Sequence, residues 1–307
     1  MSLFALLLAL LAQYAYPIAG RNPLLAFYGR LCVSTAKRLD AGDRNSGILA
    51  GIALAAVVLG PLALVSAVAA AIHPFFLWAL NVVMLYGTLR FLATTRSLAG
   101  IESRLRAGEV GGAANLLSEW QGFPVEADDA SAVARLAAEQ ALRDAHHGTF
   151  APLFWFLLLP GPLGLVLYPL AHRAARSWEQ GVEPGDRDFG WFASRAFFVL
   201  DWIPQRITAF MFAVVGNFED ALVCARSQAA QWIRPDEGLV LASGAGALGV
   251  RLGDPLPVSG TLIDRPPLGT GEAAREESLA SLEGLLWRSL VLWLVVFLLA
   301  AAIQGVG

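Results

Sequence analysis

Charge is what this sequence has least of. Of its 307 residues only 15% are Asp, Glu, Lys or Arg, while 56% are hydrophobic. An average soluble domain carries about 25% charged residues, so an ordinary soluble protein is excluded. The balance of sign is nearly even, at a net charge of −3. There is neither the basic surplus that nucleic-acid binding needs nor an acidic tail. Cysteine is scarce as well: Cys32 and Cys224 are the only two, far apart and in unlike contexts. That excludes a disulfide framework and a Cys-based zinc site, and both read as small apolar residues. No internal repeat is visible, and no Ser/His/Asp triad or glycosidase-like carboxylate pair stands out.

Long apolar runs fill the space that charge leaves. Runs of about 18 or more such residues read as membrane-spanning helices. Segments 2–19, 48–72, 75–93, 150–170, 189–215 and 285–303 qualify. The first lacks the positive n-region and clear cleavage site of a signal peptide. His73-Pro74 marks a tight turn, and "PGPLG" interrupts the fourth run. Lipid admits only helices and closed barrels, and no barrel-like alternation recurs. The expected fold class is therefore all-α: a polytopic helical membrane protein with about six membrane segments, one of them broken or re-entrant, forming a single membrane domain over 1–307. Two long insertions, 94–149 and 216–284, lie between the spans. Asp128–His147 and Asn217–Trp232 read as helices, the second capped by Asn217. The Gly/Pro-dense stretch Ser243–Gly269 cannot be helix throughout.

Lys and Arg set orientation. With six spans, alternate connections carry five, five and five on one side against none and three on the other. The richer side is expected to be cytoplasmic, with both termini outside and both insertions inside.

Within 189–215 lies "FFVLDWIPQRITAF". Asp201 reads most simply as an N-cap, with Pro204 in the first turn of a new helix that runs to about Val215. The membrane segment is then broken at Asp201, and Arg195 and Arg206 lie on separate short elements that converge on an anion site. In one continuous helix, by contrast, Arg195, Trp202 and Arg206 share a face. The arginines then either hold a phosphate or snorkel to the headgroups, and both readings stay open. His146 and His147, with His172, invite a metal, but adjacent helical histidines diverge by about 100°; no metal is expected. "SGAGALG" lacks a P-loop Lys-Ser/Thr, so Gly244 and Gly246 read as packing residues rather than a phosphate cradle. "DRPPLG" is an extended turn whose Asp264 and Arg265 are polar enough to bind a ligand.

These segments resemble the membrane family that contains CobD/CbiB, adenosylcobinamide-phosphate synthase of cobalamin synthesis, and its divergent relative AmpE. The carboxy-terminal third, "RPDEGLVLASGAGALGVRLG" with Gly249, Leu252, Gly253, Pro255, Gly260, Asp264, Pro266 and Gly269 in register, is similar to CobD/CbiB, as is "IHPFFLW". The central segments "FAPLFWFLLLPGPLG", "VLDWIPQR" and "QGFP" are more similar to AmpE. The resemblance implies a reaction that joins adenosylcobyric acid to an aminopropanol phosphate at the expense of ATP, with Mg²⁺. It also exposes departures. The synthase motif Glu-Asn-Thr-x-Asp-Gly is "RDAHHG" here, so Arg143 stands for the Glu and His147 for the Asp. Asn-Thr-Leu-Asp-Ser becomes roughly His172–Arg176, a pair of Asp becomes Phe197 and Phe198, and Ser-Pro-Asn becomes Arg234-Pro235-Asp236. Asp144 and Asp201 are the nearest substitutes for the lost carboxylates.

Two functions follow. The reading favoured by the lost acids is an altered or non-enzymatic AmpE-like modulator, binding a ligand or partner at the cytoplasmic face of a bacterial inner membrane. The alternative is an adenosylcobinamide-phosphate synthase, and only that reading calls for ATP and Mg²⁺. A transporter built on a broken helix lacks the inverted repeat that would support it. Candidate ligand-binding residues are Arg195, Arg206, Asp201, Asp144, Asp264 and Arg265; no catalytic residue is assigned, and whether the chain is an enzyme stays open. The expected partners are the lipid bilayer and a small anionic ligand or cobamide intermediate, not nucleic acid, and a homo-oligomer stays open.

Reporters fused within Arg21–Arg44 and within Gly216–Gly284 should both report cytoplasm. A periplasmic signal from either would sink the six-span orientation.

Overall fold

Apolar length decides the architecture. The structure, a computed structural model, describes residues 2–17, 22–125, 129–179, 188–258 and 261–306. Among them, four helices are long and apolar enough to cross a membrane: Arg44–Ile72, Pro74–Arg106, Asp188–Val215 and Glu276–Ile303. They contain four of the six expected segments. The first expected segment is a shorter helix, Ser2–Ala15. The run at 150–170 is divided into Ala151–Leu158 and Leu163–Glu179, because two prolines flank Gly161, which takes the left-handed φ of 62°. The chain is an all-α membrane protein. Its sheet, among the described residues, is confined to two antiparallel pairs, Arg251–Leu252 with Leu268–Gly269 and Leu256–Val258 with Thr261–Ile263.

The chain divides into two compact units, Met1–Leu89 with His147–Ile203 and Phe297–Gly307, and Arg90–His146 with Pro204–Val296. In the first unit, helices α1 (Ser2–Ala15), α2 (Pro23–Leu39), α3 (Arg44–Ile72) and α4 (Pro74–Thr88) come first. Asn22 caps α2 and Asp43 caps α3. At the His73-Pro74 turn, His73 Nδ1 accepts from the Phe75 N–H. Gln13, the one polar residue on the buried side of α1, donates to the carbonyls of Tyr86 and Leu89, both at 2.8 Å. It thereby satisfies two of the orphan acceptors at the end of α4. The core joins Leu25, Tyr28 and Cys32 of α2 to Ala50 and Leu54 of α3 and to Trp178 further on. Burial pushes the Cys32 thiol up to about 11, which disfavours the reactive thiolate and fits a packing role.

The second unit begins with α5 (Phe91–Arg106), α6 (Val110–Gln121) and α7 (Ala130–Ala145). Asp129 caps α7, its carboxylate accepting from Ala132 N at 3.1 Å; Asp128, the expected start, lies outside the described residues. A five-residue π-turn, His146–Phe150, follows α7 in the chain; α8 (Ala151–Leu158), α9 (Leu163–Glu179) and α10 (Trp191–Val215) as far as Ile203 belong to the first unit. Asn217 caps α11 (Phe218–Ser227) through Asp220 N. α12 (Pro235–Leu248) ends at Gly249, left-handed at φ 67°, and α13 (Glu276–Val306) closes the chain. "SGAGAL" is therefore the carboxy-terminal part of a helix, where no phosphate cradle forms. A Cβ on Gly246 would lie 2.5 Å from the Asp220 carbonyl oxygen, and one on Gly244 2.6 Å from Leu142. These glycines let helices approach closely.

The expected break at Asp201 is absent. α10 runs unbroken through Pro204, and Asp201 is not a cap. Inside a helix, proline removes one hydrogen bond and crowds the carbonyl four residues back, at a cost of about 3 kcal/mol. That carbonyl belongs to Leu200, and it accepts instead from the indole Nε1–H of Trp155 at 3.3 Å. The substitute donor is 45 residues away in sequence, out of reach of a local reading. Continuity also sorts the faces. Arg195, Trp202 and Arg206 are exposed together with Phe198, Val199, Ile203 and Phe210, while Ala193, Phe197, Asp201, Gln205 and Thr208 are buried.

Trp155→Phe should strand the Leu200 carbonyl and lower stability by about 1–3 kcal/mol. Adding Pro204→Ala restores an N–H for that carbonyl and should recover most of the loss. Thermal melting in detergent reads both. A double variant no more stable than the single one would remove Trp155 from this role.

Candidate functional site

A carboxylate on an otherwise apolar helix has to be hydrogen-bonded where it is buried. In the first unit, Asp201 has no solvent exposure. Tyr168, itself fully buried on α9, donates its O–H to Asp201 Oδ1 at 2.7 Å. The same phenolic oxygen lies 2.8 Å from His147 Nδ1. Next to it, the His172 ring lies over His147, at 4.4 Å between centroids and 19° between planes. Arg176, one turn further along α9, donates Nε–H to His172 Nε2 at 3.3 Å. Phe197 flanks both imidazoles, at 5.9 Å from His147 and 5.0 Å from His172. Its neighbours Tyr168, Ala151 and Ala175 form a small apolar cluster around the row. The row can bind and pass a proton in apolar surroundings, and His147, half-buried, is its accessible end. The π-turn puts His147 there; single π-turns inserted in helices recur at functional sites.

The second unit holds a different kind of centre, built on paired charges. Glu139 of α7 is fully buried. Its Oε1 accepts from Gly253 N at 3.1 Å and its Oε2 from Arg265 Nη1 at 2.8 Å. Arg265 also donates to the carbonyls of Asp254 and Gly253, each at 3.1 Å, and lies 5.5 Å over the Trp232 ring. Asp254 takes the left-handed φ of 68°, and its carboxylate is held by Arg135 at 2.5 Å and Arg251 at 3.4 Å. Arg143 sits 3.7 Å from Glu139 and 3.6 Å from Glu237. Asp144 accepts from Trp120 Nε1 at 2.8 Å and Gln140 Nε2 at 3.1 Å and pairs with Arg90 at 3.1 Å. His146 Nδ1 lies 2.9 Å from Thr208 Oγ1.

Of the candidates, Asp201 is the residue placed in a row of titratable groups. Arg195 and Arg206 do not converge: eleven residues apart on one helix, they are about 16 Å apart along its axis. Arg195 is exposed and stacks over Phe198 at 5.5 Å. An outward stripe of arginines, Trp and aliphatics suits headgroup snorkelling better than an anion pocket. Asp144 joins α6 and α7 to the start of α5. Asp264 is exposed, whereas its neighbour Arg265 turns inward and clamps the Gly253-Asp254 turn. Sequence reasoning passed over Tyr168, a lone hydroxyl in an apolar run, and Glu139, an acid among the buried alanines and leucines of α7. In both cases the polar residue on a buried face was the available signal.

Magnesium needs carboxylate oxygens in a near-octahedral array. Here Glu139, Glu237, Asp254 and Asp144 each face arginine, and Arg143 occupies the place between two of them. These residues do not fit a Mg²⁺ centre.

Residues 4–286 match the model of the CobD/Cbib protein family. The chain is similar to the cobalamin biosynthesis protein CobD of Chromobacterium violaceum, 36% identical over 252 residues that cover 78% of this chain and 80% of that one. CobD of Stutzerimonas stutzeri is 39% identical over 170 residues, 55% of each chain. CbiB of Salmonella choleraesuis is 25% identical over 303 residues, covering 94% and 91%. No solved structure matches.

Arg265→Lys keeps the charge but loses the planar fork that reaches a carboxylate and two carbonyls at once. It should cost about 1–3 kcal/mol, read as a lower unfolding midpoint in detergent. An unchanged midpoint would show that charge alone suffices at this position.

Proposed function

Because the chain belongs to the CobD/CbiB family, we propose that it serves cobalamin biosynthesis as a multi-pass protein of the bacterial inner membrane, forming an amide bond on a corrinoid carboxyl. That is the reaction the resemblance assigns to adenosylcobinamide-phosphate synthase. The observation that carries the reading is the extent of the match, residues 4–286 for the family and 78% of the chain for a CobD relative. The relatives named above are all cobalamin biosynthesis proteins by name, so the balance moves away from the AmpE-like modulator that the central segments favoured. Amide formation asks for an amine relieved of its proton and a reacting centre shielded from water. The Asp201, Tyr168 and His147 row, walled by Phe197, suits both needs. No metal step is assigned to the second unit, whose acids are matched to arginine.

One observation favours the second reading. Arg143, placed between Glu139 and Glu237, stands where the resemblance expects an acid, as in a protein that binds an anionic ligand without turning it over.

Expression in a strain lacking adenosylcobinamide-phosphate synthase separates the two. Cobalamin-dependent growth should be restored. Normal membrane insertion without growth would favour the modulator.

A further inference from the structure

With Asp201 ionised, the hydrogen bonds in the first unit assign where protons lie. Tyr168 has one phenolic proton, and it is directed to Asp201 Oδ1 at 2.7 Å. The 2.8 Å contact between the Tyr168 oxygen and His147 Nδ1 then takes its proton from the imidazole. His147 is thereby an Nδ1–H donor, and in the neutral ring the lone pair belongs to Nε2. The neighbouring ring is fixed independently. Arg176 Nε–H donates to His172 Nε2, which must therefore hold its own lone pair, so His172 is neutral with its proton on Nδ1. A neutral ring stacked at 4.4 Å can stay in place when His147 gains a proton, whereas a second imidazolium there would oppose it. The Asp201 carboxylate, reached through Tyr168, offsets the cation that forms, and Phe197 limits water on the other side.

We propose that His147 is the proton acceptor of the reaction and that Tyr168 and Asp201 are its positioning residues. The inference rests on the amide-forming reading. An amine nitrogen attacks a corrinoid carboxyl carbon already activated as an acyl phosphate or equivalent anhydride. The N–C bond forms, the leaving group departs with the electron pair of its bond to carbon, and the nitrogen's surplus proton passes to His147 Nε2. Tyr168 holds the ring so that Nε2 is the accepting nitrogen, and Asp201 orients Tyr168. General-base assistance of this kind contributes on the order of 10²–10⁴ in rate. In the sequence the adjacent histidines are weighed only as a metal pair and set aside; the π-turn gives His147 and His146 different partners, each within its own unit.

The test uses full-length protein in detergent with ¹⁵N-labelled histidine. The chain has only four histidines, so single substitutions assign the ring signals. His147 should show the Nδ1–H form, and Tyr168→Phe should move it towards Nε2–H. In parallel, amide product is measured from adenosylcobyric acid and an aminopropanol phosphate with ATP and Mg²⁺ supplied to activate the carboxyl. His147→Gln should lower turnover about 100-fold or more with substrate KM and thermal midpoint little changed. Tyr168→Phe should lower it about 10-fold or more, in step with the tautomer. An Nε2–H signal from His147 in the wild type would overturn the proposal, and so would full turnover by His147→Gln. Should His147→Gln fail to fold, Tyr168→Phe decides alone, and a shifted tautomer with unchanged turnover counts against the proposal. A wild type that forms no amide would instead sink the amide-forming reading, and with it the amine as proton source, whatever the tautomer.

Discussion

The hydrogen bond from Tyr168 to Asp201 is the constraint around which the first unit is arranged. A carboxylate inside apolar surroundings costs several kcal/mol unless it is answered. The answer fixes the inward face of α10, and that face requires the helix to be continuous. Continuity in turn requires a donor for the Leu200 carbonyl, which Pro204 cannot supply and Trp155 does. With α10 set, Phe197 lies one turn before Asp201, against Tyr168 and both imidazoles. The two polar contacts, Tyr168 with Asp201 and Trp155 with Leu200, thus determine which residues of the segment face protein and which face outward.

In the second unit the constraint is electrostatic matching. Glu139 is fully buried, yet both of its oxygens are used, one by a backbone N–H and one by a guanidinium. The arginine that answers it also holds a turn in which Asp254 adopts a backbone conformation uncommon for a residue with a Cβ. Removing one partner of such a pair is costly, whereas the intact pair adds little net stability. Its role is to specify the turn. An acid committed in this way is poorly placed to take up a divalent cation, which is why the metal chemistry suggested by the resemblance does not carry over to these positions.

Much of this was legible in the sequence, and the misses have physical causes. The all-α membrane class followed from run length, and the cap at Asn217 followed from residue type and position. Gly244 and Gly246 were legible as packing residues because small side chains in an apolar helix have few other uses. Even the shared face of Arg195, Trp202 and Arg206 was correct for a continuous helix. The break at Asp201 was wrong because Pro204 was judged from local cost alone, and the donor that offsets it lies on another helix. Tyr168 was missed for the same kind of reason: nothing within its own run shows that a carboxylate and an imidazole meet at its hydroxyl. His147 was weighed as a helical residue at 100° per position, and the π-turn at His146–Phe150 breaks that rule.

The direction of the Tyr168–Asp201 hydrogen bond carries the rest of the argument. Infrared difference spectroscopy of the wild-type protein against Asp201→Asn, at neutral pH in detergent, reads it directly. An ionised Asp201 that accepts from Tyr168 predicts loss of a carboxylate stretching band on substitution and no change among carboxylic-acid carbonyl bands. Loss of a carboxylic-acid band would mean that Asp201 carries the proton and donates it, leaving Tyr168 free to donate to His147, and the assignment of Nε2 as the accepting nitrogen would be reversed.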